Sequence, residues 1–115
     1  ATNETKYSWM DEGFTTYIST LASNKFLKNK GDKPLAERYK GYFYLVDAGI
    51  EEPLTTHADR YHTNTAFGTA SYTKGSIFLS QLNYIIGEEN VKKSLKKWRL
   101  QLVKKVRCFG MEKIP

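Results

Sequence analysis

A chain of 115 residues, 40% hydrophobic and 14% aromatic, is long enough for one small domain and too rich in aromatics for a disordered segment. Its net charge of +6 is unevenly spread: residues 1–90 carry nine Lys and Arg against eleven Asp and Glu, whereas residues 91–115 carry nine basic residues against Glu112 alone. A single cysteine, Cys108, excludes an internal disulfide and a cysteine-based zinc cluster, and no apolar run reaches the roughly 18 residues of a membrane span. Ala1 to Tyr7 lacks the charged start and apolar centre of a signal peptide and reads as mid-protein sequence, so the chain is expected to be a fragment, with its compartment left open.

Met10, Phe14, Tyr17, Ile18 and Leu21 recur at helical spacing and predict a first helix over about 9–26, with Ser8 as candidate N-cap and that stripe turned inward. Its other face holds Trp9, Glu12, Gly13, Thr16 and Thr20, which is short and almost uncharged where water would favour Lys and Glu. A second packed element is therefore expected against this face, and Glu12 is expected to be buried in the complete protein. A buried carboxylate needs a cation, a hydrogen-bond network or a metal, and no basic residue lies near Glu12 in sequence.

Lys28 to Lys33 reads as a polar turn, and Pro34 opens a second helix to about Ala48, stopped by Gly49, with Leu35, Tyr39, Tyr42, Phe43 and Val46 on its apolar side. Residues 51–67, dense in Thr, His, Asp and Asn without period, predict a long surface loop. A third helix is expected over about 69–86, with Phe78, Leu82, Ile85 and Ile86 inward, Gly75 allowing close approach and Gly87 as the stop. A fourth starts at Glu88 and Glu89, carries Val91, Leu95, Trp98 and Leu102 inward and turns Lys92, Lys93, Lys96 and Lys97 to water. The expected organisation is a partial helical domain over 1–107 and a weakly ordered tail over 108–115.

Four features could carry chemistry. His57 and His62 are five apart, outside the i, i+4 spacing that puts two imidazoles on one helical face. Tyr72, near the start of the third helix, could point a phenol across a cleft, although buried tyrosines are commonly core residues. The basic cluster over 92–107 admits a rival reading, a helical module for nucleic acid or an anionic surface, whose affinity would fall steeply with salt. Its aromatic interleaving is thin, with Trp98 and Phe109 only, so nucleic acid is not the expected partner. Glu12, the fourth, gains meaning from its neighbours.

Trp9-Met10-Asp11-Glu12-Gly13-Phe14, followed by Tyr72-Thr73-Lys74-Gly75 and the stop at Ile86-Gly87, resembles the catalytic domain of the aminopeptidase N and leukotriene hydrolase family of zinc peptidases, the gluzincins. Sixty residues separate Glu12 from Tyr72, similar to the family spacing, and the resemblance covers roughly residues 7–98. It implies an all-α fold of about four helices, a fragment from the C-terminal half of a thermolysin-like domain. It implies that Glu12 is the third zinc ligand and that Tyr72 donates a hydrogen bond to the oxyanion. It also implies a Zn2+ cofactor and a peptide substrate in the parent protein, with the rest of the catalytic domain as partner. The His-Glu-x-x-His segment and the segment that reads the substrate amino group would precede Ala1, so the chain alone is expected neither to bind zinc tightly nor to hydrolyse peptides. Beyond Trp98 the likeness fades.

Overall fold

The computed structural model describes residues 3–27 and 35–108, the last seven of them by backbone alone. It is all-α among the described residues, in the order α1 (Ser8–Phe26), α2 (Ala36–Asp47), a 3-10 turn (Ala58–Arg60), α3 (Asn64–Gly68), a π-helical segment (Thr69–Lys74), α4 (Gly75–Ile86) and α5 (Glu88–Cys108). Contacts divide the chain into two compact units between Gln81 and Leu82, within α4. Pro34 and the 109–115 part of the expected tail lie outside the described residues. No described helix is long and apolar enough to cross a membrane.

In the first unit, α1, α2 and α3 all pack on the π-helical segment. The buried residues of α1 are Gly13 and Thr16 of the short, uncharged face, Tyr17 of the apolar stripe, and Ser8. The expectation of a second element against Gly13 and Thr16 is thus borne out, and the expectation of an inward Ile18 and Leu21 is corrected, since these are 52% and 37% exposed. The reason is distance of approach. Gly13 and Gly75 bring the α1 and α4 backbones so close that an ideal Cβ on Gly13 would stand 2.8 Å from Gly75 C and Cα. A helix packed through glycine turns its bulky residues elsewhere, whatever their hydropathy.

Ser8 is not the N-cap. That position falls to Tyr7, which makes no side-chain cap bond, while the buried Ser8 hydroxyl accepts from Ser71 Oγ at 3.0 Å. On α2, Leu45 is fully buried and Leu35 nearly so, whereas Phe43 and Val46 from the expected apolar side are exposed. Gly41 and Leu45 share a face at i, i+4, and Gly41 lies against Thr73, so this line of contact sets the inward side. Gly49 and Gly87 both take positive φ, 67° and 83°, as stops of the kind expected.

The expected loop is shorter than 51–67. Thr63 Oγ1 accepts from Ala66 N at 3.0 Å and caps α3, so helical structure begins at Asn64 and runs through the π-helical segment into α4. On α4 the buried residues are Gly75, Ser76, Ile77 and Leu79, while Phe78, Ile85 and Ile86 are exposed and Leu82 is half-buried. Here too the glycine contact, rather than bulk, selects the inward side.

The second unit holds the end of α4 and α5. Glu88 and Glu89 lie in the first turn of α5, where the helix dipole favours them, and Lys92 Nζ stands 2.6 Å from Glu88. Val91 is buried, and Lys92, Lys93, Lys96 and Lys97 are exposed as expected.

Candidate functional site

The two sequence motifs meet through their glycines. Gly13 follows Glu12 on α1, and Gly75 closes the Tyr72-Thr73-Lys74-Gly75 run; a Cβ on Gly75 would stand 2.9 Å from Trp9 O and 3.0 Å from Gly13 Cα. Close packing at these two points brings Glu12 and Tyr72 together from positions sixty residues apart. The Tyr72 phenol lies close enough to the Glu12 carboxylate for the two to interact. The neighbouring Glu12 carboxylate holds the phenol above the usual tyrosine range, with burial and Asp11 adding to the effect. The phenol is therefore a protonated donor at neutral pH. Tyr72 is 44% exposed and Glu12 half-buried, so both groups remain reachable from solvent.

Tyr72 lies within the π-helical segment rather than at a regular helix start. Such widened turns occur mostly in short pieces and frequently at functional sites. Periodicity analysis assumes 3.6 residues per turn and could not find it.

Around this pair the structure gives further residues of the two motifs and of the 51–52 loop specific contacts. Trp9 packs edge-on against Phe14 and Phe78, with ring centroids 5.9 and 5.5 Å apart. Lys74 Nζ stands 2.6 Å from Glu51 Oε1 and donates to Glu52 O at 3.0 Å, and Tyr42 OH donates to Glu51 Oε1 at 3.0 Å.

Lys74, and to a smaller extent the Tyr42 hydroxyl, hold the Glu51 carboxyl below its ordinary value. A depressed carboxyl contributes stability above its unfolded-state pKa and loses it as pH falls through the lower folded value. Glu51→Gln should therefore be less stable than the parent at neutral pH in urea unfolding, and the two curves should converge as pH drops below the ordinary carboxylate range. Curves that stay parallel down to acid would remove Glu51 from this account.

The two histidines stand elsewhere. Asp59 N donates to His57 Nδ1 at 3.3 Å, and His62 Nδ1 lies 3.1 Å from Glu52 Oε1, which also accepts from His62 N at 3.0 Å. No group of three His, Cys, Asp or Glu that could hold a metal ion occurs among the described residues. Glu12 is half-buried beside the Tyr72 phenol and is of a residue type that could take one ligand position of a metal site.

The family model for the peptidase family M1 domain matches residues 3–105. The chain belongs to peptidase family M1. The match spans both motifs and reaches beyond Trp98, where likeness by motif had faded. The search of curated proteins and that of solved structures returned no match. Membership places the chain in a metallopeptidase family.

Proposed function

We propose that this chain is the helical part of the catalytic domain of a zinc aminopeptidase, with Glu12 as a zinc ligand and Tyr72 as the oxyanion donor. The observation that supports the reading is the close approach of the two motifs at Gly13 and Gly75, which sets Tyr72 beside Glu12. A carboxylate able to ligate a metal and a neutral phenol donor would then share one place. Two imidazoles from outside these residues would complete the ligand set, since both histidines of the chain are engaged with carboxylates elsewhere.

When bound, zinc in such a site polarises the scissile carbonyl and makes water nucleophilic at neutral pH. The residues of this chain then have defined tasks. Glu12 offers its carboxylate from a helix fixed by glycine packing, which keeps the ligand's position from drifting. Tyr72 stays protonated and gives its phenolic hydrogen to the oxygen that gains charge as the carbonyl is attacked. The aminopeptidase preference rests on the resemblance of the two motifs. A chain with one ligand carboxylate is expected to bind zinc weakly and to leave peptides intact by itself.

In the full-length protein, Glu12→Ala should lower zinc affinity by more than the roughly 100-fold at the top of the range for outer-shell partners. Metal analysis after dialysis should find the variant largely free of zinc with its helical circular dichroism retained. Stoichiometric zinc at undiminished affinity would end the ligand assignment.

A further inference from the structure

Resting on the role proposed for Tyr72, we infer that Lys74 is a positioning residue for that tyrosine, acting through a strut of Lys74, Glu51 and Tyr42 that holds the π-helical segment in register. π-helical turns are rare and appear mostly as single-turn interruptions of α-helices, so the contacts around this one matter to its register. Three contacts bear on the segment. Ser71 Oγ donates to Ser8 Oγ of α1 at 3.0 Å in the buried interior. Thr73 lies against Gly41 of α2, whose ideal Cβ would come 3.5 Å from Thr73 Cγ2. Lys74, the last residue of the segment, reaches the 51–52 loop through both Glu51 Oε1 and Glu52 O.

The ammonium of Lys74 is thus committed to the protein's own acceptors, and its side chain is only 20% exposed. Residues two apart on a helix do not share a face, so Lys74 points away from the side on which Tyr72 meets Glu12. It is placed to fix the backbone beneath Tyr72 and is not placed to touch a substrate beside it. Tyr42 extends the strut to α2 by donating to the same Glu51 oxygen, and His62 steadies the neighbouring carboxylate of Glu52. Of the three contacts, the one through Lys74 is the only charged one, and it ties the segment to the loop rather than to a helix.

The test uses the full-length zinc-loaded protein. Lys74→Met should lower kcat by roughly 10- to 100-fold, the scale of a small misplacement of a reacting group, with KM and zinc content unchanged. Lys74→Arg should recover most of it, and Glu51→Gln, which breaks the same contact from the other side, should reproduce the loss if Lys74→Met does not fold. In a Tyr72→Phe background, Lys74→Met should cost nothing more; an equal loss in both backgrounds overturns the positioning role. Hydrogen exchange gives a readout independent of turnover: the amides of 70–75 should exchange at least about tenfold faster in Lys74→Met while those of α1 do not change. Unaltered exchange in the segment overturns the strut. If Tyr72→Phe itself keeps normal turnover, the oxyanion role fails, and the hold of Lys74 on the segment still stands or falls by exchange.

Discussion

Gly13→Ala is expected to be the most damaging single methyl in the chain. The added Cβ would lie 2.8 Å from both Gly75 C and Gly75 Cα and 3.1 Å from Ser71 O, all of them backbone atoms with no side chain that could swing aside. Alanine would favour the helix by about 1 kcal/mol in an open position, so the contact must outweigh that gain before any loss is seen. Overpacking against rigid backbone does so, and a net destabilisation of about 3 kcal/mol is expected. For a domain of this size, that corresponds to a fall in Tm of roughly 10 °C, read by thermal unfolding. Gly41→Ala is the matched control on the next helix. There the nearest atom would be Thr73 Cγ2 at 3.5 Å, an ordinary contact, so that variant should be neutral or gain up to about 1 kcal/mol. Wild-type melting by Gly13→Ala would mean that α1 and α4 stand further apart than described.

Tyr72→Phe should produce the largest loss of activity without loss of metal. The ring stays, the fold stays, and only the phenolic donor goes. If that donor meets an oxyanion formed in the transition state, kcat in the full-length protein should fall roughly 100- to 1,000-fold. KM should hardly move, because an interaction made only in the transition state does not contribute to substrate binding. Zinc content should match the parent, which separates this variant from Glu12→Ala. Turnover at the parental rate would remove Tyr72 from the mechanism. A loss confined to KM would instead assign it to substrate binding.

The sequence located the helices well and their inward faces poorly. The first, second and fourth were legible from apolar spacing, and Gly49 and Gly87 from their place after the last periodic residue. The burial of Gly13 and Thr16 was legible from the lack of charge around them. What misled was the assumption that the bulkiest stripe faces the core. Ile18, Leu21, Phe43 and Val46 are exposed because glycines and small residues set the crossing points of α1, α2 and the segment before α4. Glu12 and Tyr72 could be named from motifs, yet no local pattern says that they touch. Gly75 was marked as a point of close approach, and its pairing with Gly13 was the missing step. Ser8 had the chemistry of a cap and was used as a buried hydroxyl partner because Ser71 arrives beside it. The short α3 was foreshadowed by Thr63, a capping residue set within a stretch read as loop.

The widened turn at Thr69–Lys74 also makes the spacing of this part of the chain a matter of phase. In an ordinary α-helix each residue advances the azimuth by about 100°. A π-helical turn takes up extra backbone over one circuit, so the count of residues between Thr63 and Gly75 and the direction in which Tyr72 points are coupled. Deleting one residue there could leave an unbroken and even more regular helix, with every side chain of the run still present. Tyr72 would nonetheless be rotated off the meridian that Glu12 occupies, a lesion of angle in a chain whose composition and helix content had scarcely changed.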